Sequence, residues 1–143
     1  MKLHSYLILN GNCAEAFAFY EKVLGGKIEA MLKFSDMPKG DQSPEGCEAV
    51  GPGNPNAIAH VCLKVGDYLL MGSDNGPQAS EKIGGFCVNI EIPEVAKAES
   101  TFKALSQGGT VAMSIQETFW AKRFAMFTDK FGTPWMINCP KQM

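Results

Sequence analysis

The chain has 143 residues, 45% of them apolar and 20% charged, with a formal net charge of -2. Those values describe one ordinary globular domain that buries most of its unfolded surface. The charge balance and the lack of any Lys/Arg run exclude nucleic acid as a partner class, and no apolar run reaches the length of a membrane-spanning helix.

The N-terminus, "MKLHSYLILNGN", has one Lys and a short apolar run broken by His4, Ser5 and Tyr6, which is not the core of a signal peptide. "SYLILN" is a strand candidate. Asn12 then stands as a helix N-cap, with Glu15 three residues on in capping-box position. Ala16, Phe19/Tyr20 and Val23 repeat at helical spacing, and Gly25-Gly26 ends the helix. "KIEAMLKF" alternates as a second strand. The stretch from 36 to 56 is too rich in Pro and Gly for regular structure, and a loop of that length in a compact domain is usually functional or mobile. In "AIAHVCLKV", Ala59, Val61, Leu63 and Val65 fall on one face and Ile58, His60, Cys62 and Lys64 on the other. Gly66-Asp67 is a hairpin turn into "YLLMGS".

After "DNGPQASEKIGG" the order starts again. "FCVNIEI" predicts a strand, Pro93 suits a first helical position, and Val95, Ala98, Phe102 and Leu105 form a core stripe closed by Gly108-Gly109. "TVAMSIQ", "RFAMFTD" and "PWMINC" predict three more strands. At an offset of about 83 residues Phe19 falls on Phe102, Gly25-Gly26 on Gly108-Gly109 and Ile28 on Val111. The expected fold class is therefore α+β, with two βαβββ modules forming a curved eight-stranded mixed sheet around a half-barrel cleft, helices outside. The modules are placed at 1–75 and 84–140 of a single domain, joined by a linker at 76–83. The five cysteines (13, 47, 62, 87 and 139) form no C-x-x-C pair, which points to buried thiols in a reducing, cytoplasmic setting.

The paired modules, with "GNCAEAFAFYEKVLGG", "IAHVCLKVGDYLLMGSD" and "QETFWAKRFAMFTDKFGTPWMI", resemble the vicinal oxygen chelate superfamily of glyoxalase I, bleomycin-resistance proteins and extradiol dioxygenases. Within it they look like the PhnB-like branch, which often carries a demethylubiquinone methyltransferase label. Nothing in the chain supports that label, since no strand leads through a glycine-rich turn into a helix that would cradle an adenosyl cofactor. The resemblance implies a homodimer, and it implies metal ligands in the first and fourth strands of each module. Four residues after the turn glycines, those positions fall on Leu70 and Met136, neither suited to a hard divalent ion. The first-strand candidates are His4 or Ser5, and Phe86 or Cys87.

The expectation is a small-molecule-binding cleft protein with no cofactor and no metal site, with a metal-dependent lyase or dioxygenase and a non-catalytic sequestering protein as alternatives. Tyr6, His60, Glu117, Trp120, Arg123 and Trp135 are placed near the ligand, with Met136 in the cleft wall. His60 reads either as a hydrogen-bonded, half-buried histidine or as a proton donor and acceptor. Glu117 beside Trp120 has the ingredients of a carboxyl raised for acid–base work, although Phe119-Trp120 also suits the end of a core. Asp129 is expected to accept backbone hydrogen bonds as the first residue of its turn, and Asp74 to be a turn residue. Cys62, on the His60 face, is the thiol singled out for test, and Met31, Met37, Met71, Met126 and Met136 offer an adaptable lining.

Overall fold

The computed structural model describes residues 1–36, 56–74 and 84–141; nearly all of the loop expected at 36–56, and the whole linker at 76–83, lie outside them. The chain divides into two compact units, Met1–Glu81 and Lys82–Met143. The first contains β1 (Ser5–Leu9), α1 (Cys13–Leu24), β2 (Lys27–Lys33), β3 (Ile58–Val65) and β4 (Tyr68–Asp74). Its four strands form a mixed sheet of order β1-β4-β3-β2, with β1 parallel to β4 and the other pairs antiparallel. The second contains β5 (Val88–Glu91), α2 (Val95–Ser106), β6 (Thr110–Gln116), β7 (Ala121–Thr128) and β8 (Pro134–Pro140), in a sheet of order β5-β8-β7-β6. Again the first and last strands are the parallel pair. The fold is α+β, and the βαβββ order occurs twice.

Each unit has its core between the helix and one face of its sheet. In the first, Cys13, Ala16, Phe17 and Tyr20 of α1 are buried over Leu7, Leu9, Val61, Leu63 and Leu70. Gly72 of β4 makes this packing possible. A Cβ there would come within 2.8 Å of both the Leu7 carbonyl oxygen and the Phe17 ring. In the second, Ala98, Thr101 and Leu105 of α2 face Ala125, Phe127, Trp135, Ile137 and Cys139, and the Phe102 ring meets Phe127 edge-on with centroids 5.4 Å apart.

Four local expectations are corrected. Asn12 is the N-cap of α1 but makes no side-chain cap, so the capping box with Glu15 does not form. The first helical N–H, that of Cys13, donates instead to Asp74 Oδ1 at 2.9 Å, while Asp74 Oδ2 accepts from the Ile58 N–H at 2.8 Å. Asp74 is thus a buried clasp between α1, β3 and β4 rather than a turn residue. Pro93 precedes the N-cap Glu94, because Ile92 still donates to the Asn138 carbonyl and the chain leaves the sheet only afterwards. The strand expected over residues 86–92 is reduced to Val88–Glu91, since Gly85 at φ 76 turns the chain just before it. The repeat also shifts. Both helices have 12 residues and start 82 positions apart, whereas the glycine pairs lie 83 apart, Gln107 being the extra residue.

Burial, with the Asp74 carboxylate adding to it, pushes the Cys13 thiol up from 9.0 to about 12. The folded chain therefore holds that proton after the unfolded chain has released it. The stability this confers is complete below pH 9.0 and is lost as pH rises through about 12. Alkaline unfolding followed by circular dichroism should show a shallower decline in that window for Cys13→Ala. In the native protein at pH 8, iodoacetamide should leave Cys13 unlabelled by peptide mass mapping.

Candidate functional site

Each sheet has a face turned away from its helix, and strand register sets out what lies on it. In the first unit the buried residues of β1, β3 and β4 alternate with Tyr6, Ile8, His60, Cys62 and Met71 on the helix-free face. One row crosses the sheet as Tyr6, Met71, Cys62 and Ala30, each the Cα partner of the next. Tyr6 and His60 come together there: the rings stack at 5.8 Å, and the hydroxyl lies 3.4 Å from His60 Nδ1. Among the sequence-predicted residues of this unit, the structure joins these two.

The second unit shows a corresponding row of Asn89, Met136, Met126 and Met113. Two residues further along β8 the next row is Glu91, Asn138, Phe124 and Gln116. Trp120 stands edge-on to Phe124 with ring centroids 5.2 Å apart, and Phe119 packs against Trp120 at 4.8 Å. Trp120 and Met136 therefore belong to the helix-free side.

The other predicted residues are placed elsewhere. Arg123 turns to the helix side, where its Nε donates to Glu99 of α2 at 2.9 Å. Its register explains this, since it pairs with Cys139, whose thiol donates to the Pro93 carbonyl at the start of that helix. Trp135 is buried on the helix side, and its indole N–H donates to Asp129 Oδ2 at 2.8 Å. Glu117 is exposed and lies 3.3 Å from Lys141 Nζ. The desolvation beside Trp120 that acid–base work by Glu117 called for is not what surrounds it. Asp129 accepts from the Phe131 and Thr133 N–H groups, as its turn position suggests, and also from the Trp135 indole. Asn89, Asn138, Phe124 and Met113 were not singled out from the sequence. Asn138 had a signal, a polar side chain in the middle of the apolar strand "PWMINC".

The sequence model of the Glyoxalase/Bleomycin resistance protein/Dioxygenase superfamily matches residues 2–137. The chain belongs to that superfamily. It is 38% identical to Protein YjdN of Escherichia coli (strain K12) over 143 residues, covering 99% of this chain and 97% of the other. It is similar to the crystal structure of protein PA1353 from Pseudomonas aeruginosa, at 43% identity and a TM-score of 0.85, with 99% of each chain covered. A PhnB protein from Bacillus cereus described as a putative 3-demethylubiquinone-9 3-methyltransferase shares the fold, with a TM-score of 0.78 at 18% identity over 96% of this chain and 98% of that one.

Superfamily membership directs attention to the first and fourth strands of each unit, and here the register corrects the sequence reading. The second glycine of each pair approaches a third-strand carbonyl, Gly26 that of Lys64 and Gly109 that of Thr128, which makes those two residues equivalent. Leu63 pairs with Leu70 and Phe127 with Trp135, so the counterpart of Met136 is Met71, not Leu70. Counting from the turn glycine slips because Leu69, the partner of Lys64, lies three residues after Gly66, whereas Pro134, the partner of Thr128, lies two after Gly132. The equivalent helix-free positions are therefore Tyr6 and Met71 in one unit and Asn89 and Met136 in the other. One step along β5 and β8 come Glu91 and Asn138. Two thioethers, a phenol and an amide do not suit a hard divalent ion. Among the described residues no group of three or more His, Cys, Asp or Glu is placed to hold a metal. His4 precedes β1, half-buried, and Cys87 precedes β5.

Proposed function

We propose that the chain binds a small organic molecule on the helix-free face of a sheet, without a divalent metal ion. The donor chemistry of Tyr6, Met71, Asn89 and Met136, at equivalent places in the two units, carries this reading. Small-molecule sites are predominantly apolar with a few placed polar groups, and each row has that composition. After expression in medium supplemented with Ni, Zn, Fe and Mn, elemental analysis of the purified protein should find each metal far below one per chain. Stoichiometric metal that disappears in His4→Ala or His60→Ala would refute the proposal and restore a metal-dependent reaction.

The Tyr6–His60 pair supports a second reading, catalysis without metal, because a hydroxyl beside an imidazole can pass a proton to or from a bound molecule. If that is so, His60→Gln keeps ligand affinity and loses turnover; retention of turnover eliminates His60 as the proton-transfer group. A homodimer in a reducing compartment completes the proposal, and light scattering should give twice 15.5 kDa.

A further inference from the structure

The helix-free face of the second sheet combines three features whose chemistry identifies a ligand class. The first is the row of thioethers. Met113, Met126 and Met136 lie on three adjacent strands as successive Cα partners. Neighbouring strands are roughly 4.8 Å apart, so the three side chains form one continuous polarizable strip. Thioether sulfur makes favourable contacts with aromatic rings, and Met adapts its shape to what it touches. The second feature is the aromatic corner. Trp120 is 44% exposed while Phe124 beneath it is 8% exposed, so the indole presents a ring to anything lying on the strip.

The third feature is Asn138. Its Oδ1 is buried and has no hydrogen-bond partner among the described residues. Its neighbours across the sheet are Phe124 and Glu91, and Met136 is two residues before it on the same face. A buried carbonyl oxygen without a donor is unfavourable and uncommon. Here it sits between the thioether strip and the aromatic corner, where a bound molecule would bring a hydrogen to it. Charge narrows the class further. The row from Asn89 to Met113 has no ionisable group, and the carboxylate of the next row, Glu91, repels an anion.

The geometry points to a neutral aromatic ligand carrying a hydroxyl or amine hydrogen, a phenol or an arylamine. It lies on Met113, Met126 and Met136 against Trp120 and donates to Asn138 Oδ1. This deepens the small-molecule reading above and rests on it.

Isothermal titration of the full chain with 2-naphthol, 2-methoxynaphthalene and cyclohexanol tests the assignment. The first has the ring and the donor, the second only the ring, the third only the donor. Wild type should bind 2-naphthol about tenfold more tightly than 2-methoxynaphthalene, the worth of one hydrogen bond to an otherwise unpaired acceptor, and cyclohexanol weakest. In Asn138→Leu the preference between the two naphthalenes should vanish. In Trp120→Leu both should weaken together, with the preference retained. The melting temperature of Asn138→Leu should be unchanged or raised, because an unpaired polar group is removed; a residue with a purely structural bond would lower it. Equal wild-type affinity for the two naphthalenes would overturn the inference, as would a preference surviving in Asn138→Leu or cyclohexanol binding best. Should Asn138→Leu fail to fold, Asn138→Ala, which also lacks the acceptor, decides the matter with the same probes. Failure of all three probes overturns this ligand class and leaves the broader proposal standing, whereas stoichiometric metal removes the broader proposal.

Discussion

Asp129→Ala should lower unfolding stability by about 4 kcal/mol, among the largest effects of any single substitution in this chain. The carboxylate is 3% exposed. It accepts from the Phe131 N–H at 2.8 Å, the Thr133 N–H at 3.0 Å and the Trp135 indole N–H at 2.8 Å. Removing it takes this acceptor from three N–H groups beside β7 and β8, and the loss of an acceptor by a buried donor costs roughly 1–3 kcal/mol. A chain of this size should then melt about 10 °C lower. Trp135→Phe removes one donor and keeps the ring in the core, so its cost should be nearer 1 kcal/mol. If the indole bond is one of three shared by the carboxylate, the double variant will cost clearly less than the sum of the two singles. Strict additivity in thermal unfolding, or a cost for Asp129→Ala below about 1 kcal/mol, would show that water replaces the carboxylate without loss.

Gly109→Ala should be nearly as damaging, for a different reason. A Cβ at that position would stand 2.1 Å from the Thr128 carbonyl oxygen and 2.9 Å from the Asp129 backbone. Backbone cannot step aside as a side chain can, so a cost of about 3 kcal/mol is expected. Gly26, with the Lys64 carbonyl at 2.4 Å, should behave alike. The first glycine of each pair is required for conformation instead. Gly25 has φ 73 and Gly108 φ 79, Gly25 with no atom within 4 Å of a new Cβ and Gly108 with only the Lys130 side chain in ordinary contact. Alanine there should cost about 1–2 kcal/mol, with Asn recovering part of it, because Asn tolerates the left-handed region. Urea denaturation of Gly25→Asn and Gly26→Asn separates the mechanisms. Equal losses at the two positions would mean that crowding against the third strand is not what the second glycine avoids.

The same glycines show how much of this protein was legible in its sequence. Two Gly-Gly pairs after two apolar helical stripes marked a repeated unit, and alternation in "AIAHVCLKV" assigned His60 to the face on which it is found. Asp129 followed from turn chemistry, since a short acceptor at the head of a tight turn meets the N–H groups that follow it. These features depend on near neighbours in the chain, and backbone sterics and strand alternation act at that range. Three others were not legible. The cap of α1 comes from Asp74, 61 residues away from Cys13, and no local pattern distinguishes it from the adjacent Asn12. Arg123 and Trp135 were expected near a ligand, but their strand positions direct them to the helix side, where Glu99 and Asp129 hold them. The counterpart of Met136 changed from Leu70 to Met71 because the second turn glycine lies one residue nearer its fourth strand than the first does, and a shift of one residue reverses the face of every side chain.

Local chemistry therefore determined which elements form and in what order. Only the pairing of distant strands decided which side chains share a face. That pairing brings Tyr6 to His60 across the first sheet, and across the second it aligns three methionines beside an asparagine whose oxygen has no partner among the described residues. Register is a property of two strands at once, set by turn lengths and by which faces the helices bury, so one strand's sequence does not contain it.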